Sequence, residues 1–213
     1  GSEMCIRDSW CTWMFGRDLV NWNNNFTWAK WVTPSRDLIS AFKQEGDEVR
    51  FKESIVYYDC NWSNYYPSDN YPFMYKCRSA NSSIIKYRYA DVLLLKAEAL
   101  IMQDTPDLEG AADIIDEVRD RAKLGALPTS VRSNKNVLLN ALLKERRLEL
   151  AFEGQRWFDL VRLDKVEEVM NAVYAKDSGR KAQIYTFDKN SYRLPIPQSV
   201  IDANDKIHQN PGY

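Results

Sequence analysis

Glu145, Glu149 and Glu153 recur at four-residue intervals in the stretch VLLNALLKERRLELAFEGQRWFDLVRL, residues 137–163. Carboxylates at that spacing lie about 5–6 Å apart on one face of a helix. Two carboxylates about 5–9 Å apart are what glycoside hydrolysis uses, one as acid and the other as base or nucleophile. The stripe has two structural readings beside that one. It is a solvated acidic face, or it is half of an ion-pair network that locks one helix to another. Like charges four apart repel by roughly a few tenths of a kcal/mol, and within the stripe no basic residue stands four positions away to relieve them. At least two of the three glutamates are therefore expected to contact arginine, and Arg146, Arg147, Arg156 and Arg162 are the nearby candidates. An amphipathic helix with adjacent arginines is poor ground for a cleft, so hydrolysis is the weaker use of the stripe.

Few other residues offer chemistry. His208 is the single histidine, so a multi-histidine metal site is excluded and any Ser-His-Asp or Cys-His mechanism has one residue to use. Cys5, Cys11, Cys60 and Cys77 match no zinc or redox spacing. Cys60 and Cys77 flank a tyrosine-rich loop, and both a pair in an oxidising compartment and two free thiols are open to them. No cofactor is called for. The net charge of −1 advertises no nucleic-acid surface. The compositional outlier is aromatic content, with seven Trp and twelve Tyr. Such rings stack on the flat C–H faces of sugars while Asn, Asp and Arg bind hydroxyls. Two loops mix these types, at 10–32 and at 58–83, and any ligand site is expected on the 58–75 loop. Trp62, Tyr65 and Tyr66 are the candidate ligand-binding residues, with Trp22 beside them; the structural alternative is that these rings close the core beneath the loop.

The elements that must hold these residues are mostly helical. In 137–152, Leu138, Ala141, Leu142, Leu148, Ala151 and Phe152 repeat at three- and four-residue spacing. Gly154 ends that run, and Trp157, Phe158, Leu160, Val161 and Leu163 open a second helix that is expected to reach Tyr174. Upstream, Thr33 or Ser35 caps a helix with Leu38, Ile39 and Phe42 inward, and Gly46 and Asp47 stop it. Residues 49–57 alternate well enough to predict a strand. Residues 84–102, with Tyr87, Ala90, Leu94 and Ala97 inward, and 108–124, with Ala111, Ile115 and Val118 inward, predict a close-packed helix hairpin broken at Thr105-Pro106-Asp107. Residues 125–133 read as a loop, 177–191 as exposed and polar, 192–197 as extended, and 197–203 as a short helix opening on Pro197. The fold class expected is mainly α, with tetratricopeptide-like helix hairpins, long irregular loops and a minor β element in the first half. Residues 84–174 should be almost wholly helical. No apolar run reaches the roughly 18 residues of a membrane span.

Four segments carry a resemblance. KERRLELAFEGQRWFDLVRL resembles the C-terminal helical signature of the SusD/RagB family of nutrient-binding outer-membrane lipoproteins. TPSRDLISAFKQEGDEVR (33–50), KYRYADVLLLKAEAL (86–100) and YRLPIPQSVIDANDKIHQNPGY (192–213) agree with it in order. The resemblance implies glycan binding at the cell surface without catalysis, beside a SusC-like TonB-dependent transporter over which the protein sits as a lid. It implies an oligosaccharide ligand and membrane attachment through an N-terminal lipid anchor. No signal peptide, lipidated cysteine or long N-terminal half precedes the motifs, so the chain is expected to be the C-terminal portion of such a protein. On this reading 1–9 is a cloning or sequencing remnant, 10–83 a loop-rich aromatic region, 84–174 the helical body, and 175–213 a tail that packs back. The family's ligand contacts lie outside the matched motifs, so no binding residue is carried over. Two other functions stay open on the residues: a protein-interaction module of tetratricopeptide type, and an enzyme acting on glycans through the glutamate stripe.

Overall fold

The computed structural model describes residues 33–59, 66, 70–76, 85–176 and 186–213. The expectations for 1–32 and for Cys60 and Cys77 lie outside these residues. The chain divides into two compact units, Gly1–Arg156 and Trp157–Tyr213.

In the first unit, α1 (Arg36–Glu45) starts where Ser35 Oγ accepts from the Leu38 amide at 3.1 Å. It stops at Gly46, whose φ of 70° lets its amide turn back onto the Lys43 carbonyl. Residues 49–54, expected to be strand, are instead helical in α2 (Glu48–Ser54). The cap decides this. The Asp47 carboxylate accepts from the Arg50 amide at 3.1 Å and from Arg50 Nε at 2.5 Å, a local nucleus that a short alternation does not overcome. The strand begins only afterwards. β1 (Ile55–Tyr58) pairs antiparallel with β2 (Tyr71–Met74), in register Ile55↔Met74 to Tyr58↔Tyr71.

The helical body follows. α3 (Tyr89–Met102) and α4 (Leu108–Arg121) form the expected hairpin, with Asp107 capping the Gly110 amide at 2.9 Å. α3 starts at Tyr89, later than expected, which leaves Tyr87 on an extended lead-in and in solvent, not in the core. Within the predicted loop 125–133, Pro128 opens a short helix, α5 (Thr129–Arg132). α6 (Lys135–Glu149) is capped by Asn134. Leu94, Ala97, Ile101, Ala111, Ala112, Ile115, Leu138 and Leu142 are buried together between α3, α4 and α6. Alanines at the α3–α4 contact let the axes approach closely. A second core gathers Ile39, Phe42, Ile55, Leu148 and Ala151, so α6 is shared by both cores.

In the second unit the predicted single helix is two, α7 (Arg156–Arg162, which opens on the last residue of the first unit) and α8 (Val166–Lys176). Asp164, at φ 53°, makes the break. Asn171 brackets the Phe187 backbone with two 2.9 Å hydrogen bonds. A 3-10 turn at Lys189–Tyr192 and α9 (Gln198–Asp202) follow, the latter opening after Pro197 as expected. Gln209 clamps both the amide and the carbonyl of Ile196, at 2.8 and 2.9 Å. The described residues are thus mainly α with a two-stranded β element in the first half, as the sequence predicts. Among them no helix is long and apolar enough to cross a membrane.

Candidate functional site

Among the described residues of the first unit, the glutamate stripe is a buried concentration of charge. α6 ends at Glu149, so Glu153 is not on the helix with Glu145 and Glu149. Phe152, at φ 67°, turns the chain between the helix end and Glu153, which comes to the same side, and Gly154 (φ 80°) continues the turn beyond it. The three carboxylates are 2%, 2% and 4% exposed. Arg50 Nη1 donates to Glu145 at 2.6 Å and to Glu149 at 3.1 Å. Arg88 reaches Glu149 at 2.5 Å and Glu153 at 2.7 Å. Arg119 bridges Glu145, at 3.3 Å, to Glu45, at 2.7 Å. Arg121 also donates to Glu149, and Lys76 Nζ pairs with Glu153 at 2.5 Å. All three glutamates therefore meet arginine.

The partners are not the neighbours in sequence that were expected. Arg146 turns to Asp91, with 2.9 Å between Nη1 and Oδ1 in a charge contact that lacks hydrogen-bond alignment. Arg147 pairs with Asp37 at 2.5 Å, Arg156 donates to the Leu143 carbonyl at 3.1 Å, and Arg162 pairs with Asp159 at 2.9 Å. The cations on the stripe come from α2, from the end of β2, from the lead-in to α3 and from α4. One signal for them was present in the sequence. Arg50 and Arg88 lie in the motifs 33–50 and 86–100, and the glutamates lie in a third.

Burial and pairing act against each other on these groups. Burial raises the Glu149 carboxyl, but hydrogen bonds from Arg121 and Arg88 overcome it and hold the group down at about 2. At Glu145 burial wins and the carboxyl lies above its ordinary value despite Arg50. Burial likewise lowers the Lys76 ammonium although Glu153 opposes it. Arg50 keeps one buried donor, Nη2, without a hydrogen-bond partner. With its oxygens turned onto guanidinium and ammonium groups and closed to solvent, the stripe has neither the free acid nor the substrate cleft that glycoside hydrolysis requires. No cluster among the described residues has the groups to hold a metal ion.

The second feature is the aromatic hairpin β1–β2. Tyr71 and Phe73 are buried, with rings 5.0 Å apart, and Tyr58 stands edge-on to Phe73 at 6.2 Å. Of the predicted ligand-binding residues, Tyr66 is described. Its hydroxyl donates to the Pro34 carbonyl at 2.7 Å, its ring meets Tyr71 edge-on at 5.6 Å, and the Arg36 guanidinium lies over it at 5.3 Å. Trp62, Tyr65 and Trp22 lie outside the described residues. The most exposed described tyrosines are elsewhere, Tyr87 and Tyr89, 79% and 72% exposed.

The comparisons with known proteins agree on one family. Residues 68–213 match the model of the SusD family. SusD-like protein P2 of Formosa agariphila is 36% identical over 143 residues, 64% of this chain and 27% of that protein. A laminarin-binding SusD-like protein of known structure superposes with a TM-score of 0.62 at 24% identity, covering 96% of this chain and 44% of the other. Surface glycan-binding protein A from Bacteroides uniformis superposes at 0.65 and 21%, covering 93% and 46%. The chain thus spans about a quarter of that Formosa relative and under half of those two solved proteins. With three of the four ordered motifs tied together by buried ion pairs, and the family model matched over 68–213, this chain belongs to the SusD family.

Proposed function

We propose that this chain is the C-terminal portion of a lipid-anchored protein at the outer surface of the outer membrane. It binds an oligosaccharide and delivers it to a SusC-like TonB-dependent transporter, without catalysis. The observation that carries the reading is a hairpin rich in aromatic rings, fixed at its base to a rigid helical body, in a chain of the SusD family. Binding residues concentrate on loops held by such scaffolds. Two solved relatives of the same fold are named for glycan binding, one of them for laminarin. The closure of the glutamate stripe supports the non-catalytic part. In this reading Trp62, Tyr65 and Tyr66, with Trp22, stack on sugar rings.

The test is calorimetric titration of the chain with laminarin and a panel of other polysaccharides, alongside alanine variants at Trp62, Tyr65 and Tyr66. Each stacking ring lost should weaken binding by about 1–3 kcal/mol. Unchanged affinity with a lowered melting temperature would make the rings structural. Reducing-sugar release during the same incubations would overturn the non-catalytic reading.

A second reading, a tetratricopeptide-type interaction surface, is favoured by one face of α3. Tyr89, Val92, Leu95 and Met102 are exposed there, while Leu94, Ala97 and Ile101 face the core. The two readings are compatible, with the helical face toward the transporter and the loops toward ligand. A photo-crosslinker at Val92 that captures the transporter in the outer membrane supports it; no capture overturns it.

A further inference from the structure

Tyr87 and Tyr89 stand on either side of an arginine committed to the interior. Arg88 has extended backbone, φ −146° and ψ 161°, where the chain enters α3. Its Nη1 donates to Glu149 at 2.5 Å, its Nε to Glu153 at 2.7 Å, and its Nη2 to the Glu149 carbonyl at 2.6 Å. In extended backbone successive side chains alternate between two sides. With the Arg88 side chain drawn inward, those of Tyr87 and Tyr89 go outward together, and both are well exposed.

These two rings have what Tyr66 lacks. Tyr66 commits its hydroxyl to the Pro34 carbonyl and its ring to Tyr71 and Arg36. The hydroxyls of Tyr87 and Tyr89 make no hydrogen bond among the described residues, and their rings meet no other ring there. An exposed tyrosine joins a flat apolar face to a hydroxyl that both donates and accepts. A sugar ring presents the complement, a C–H face edged with hydroxyls. Residues two apart in an extended chain are separated by about 6.6 Å, so the pair lies within the length of a disaccharide. Lys86, also exposed, adds hydrogen-bond donors beside them. Arg88 pins the backbone that carries the rings to the end of α6, and that backbone continues into α3. Little backbone freedom is therefore lost when a ligand settles.

We propose that Tyr87 and Tyr89 form a saccharide-stacking site of their own, in which the two rings seat adjacent sugar units of one oligosaccharide. The inference rests on the glycan-binding reading above and adds a site that the reading does not contain. Arg88 is a positioning residue here: it holds the backbone between the rings while its own donors face the buried carboxylates. The rest of the exposed face of α3, with Val92, Leu95 and Met102, offers no hydroxyl and stays with the interaction reading.

The test uses the whole chain with Tyr87→Ala, Tyr89→Ala and Tyr87→Phe, and with Val92→Ser and Arg132→Met as controls. Affinity for laminarin is measured by calorimetry beside the melting temperature. Each alanine should weaken laminarin binding by about tenfold. The melting temperature should stay within about 2 °C, because neither ring is buried. Tyr87→Phe keeps the stacking face and should keep most of the affinity, and the controls should leave it unchanged. A direct readout comes from 3-fluorotyrosine incorporated in place of Tyr87 or Tyr89 alone. Laminarin should shift each fluorine resonance, with half-saturation at the calorimetric Kd. Where an alanine variant also loses melting temperature, these resonances decide, since they are read in the folded chain. Unchanged affinity in both alanine variants overturns the site, and so do fluorine resonances that laminarin does not move. An equal loss of affinity in Val92→Ser overturns it too, since that would be an effect of the whole face of α3. If Trp62→Ala abolishes laminarin binding while the fluorine resonances stay still, the glycan-binding reading stands and this inference fails. If the unmodified chain binds neither laminarin nor the other polysaccharides, both fail.

Discussion

Two rows of carboxylates in the first unit have nearly the same spacing and opposite surroundings. On α4, Glu109, Asp113 and Asp116 converge on one cation, Arg132 of α5, and the first two are 71% and 68% exposed. On the α6 side, Glu145, Glu149 and Glu153 are shut from solvent and meet five cations contributed by other segments. The first row is a surface clamp between neighbouring helices. In water such pairs gain little, because the charges were already well solvated. The second row lies where desolvation is large, so its charges are held only by their mutual pairing. Local periodicity does not distinguish the two. What separates them is whether distant segments deliver counter-charges and cover the row.

Glu149→Gln should break the comparison most. It keeps the shape but removes the anion that Arg50, Arg88 and Arg121 share. Taking one partner from a buried pair costs about 3–5 kcal/mol, because the remaining charge stays buried without compensation. The side chain of Arg121 is largely exposed and can relax into water, so the lower end of that range is expected. Urea denaturation of the variant and the unmodified chain measures it. A loss below about 1 kcal/mol would put this row in the same class as the α4 row.

How much of this was legible follows from geometry. The four-residue spacing stated that the glutamates needed cations, and they have them. The sequence neighbours were poor candidates on helix geometry alone, since Arg146 and Arg147 are rotated about 100° and 200° from Glu145. The true partners lie far along the chain, Arg50 ninety-five residues from Glu145 and Arg88 sixty-one from Glu149. Helix periods carry no such pairing. The helix hairpin of α3 and α4 was legible because its apolar period is long and its alanines fall on the contact. Residues 49–54 were misread because six residues satisfy a strand alternation and a capped helical turn equally, and the Asp47 cap chose the helix. In the aromatic region, composition announced the rings. It did not reveal that Tyr66 spends its hydroxyl on the Pro34 carbonyl.

Acid should act in opposite directions on two members of the α6 row. The folded-state value of Glu149 is depressed from 4.5 to about 2. Its contribution is therefore complete above about 4.5 and is lost as pH falls toward about 2, by at most about 3 kcal/mol. Glu145 has the opposite sign. Its folded value is raised, so its relative contribution is present at low pH and lost as pH rises through the folded value. Glu149 carries the acid-labile part. Denaturation midpoints measured from pH 6 to pH 2 should fall steeply for the unmodified chain and less steeply for Glu149→Gln. Parallel curves would remove Glu149 as the cause.

The turn that delivers Glu153 gives a smaller effect. Gly154 has φ 80°, and a Cβ built there meets nothing within 4 Å. Gly154→Ala therefore tests backbone strain without a clash, and should cost about 1–2 kcal/mol in thermal or urea unfolding. A substitution that costs nothing would show that the turn tolerates a side chain and that Glu153 does not depend on glycine to reach Lys76 and Arg88.

The smallest effect is expected at the α4 row. Arg132→Met removes the cation that three carboxylates share while keeping most of the aliphatic stem. Glu109 and Asp113 already face water, so losing Arg132 leaves them solvated rather than stranded. Asp116 is less exposed, but its Oδ1 accepts from the Leu127 amide at 2.8 Å, and that bond survives the change. Repulsion among the three carboxylates, at roughly a few tenths of a kcal/mol per pair, adds to the loss. The total should stay within about 1 kcal/mol. Salt supplies the discriminating measurement. Charges in water are screened within about 8 Å at physiological ionic strength, and buried pairs much less. The difference between Arg132→Met and the unmodified chain should therefore shrink when the urea series is repeated in 1 M sodium chloride, while the difference for Glu149→Gln persists. If both differences shrink together, the α6 row is as open to solvent as the α4 row and the contrast between them fails.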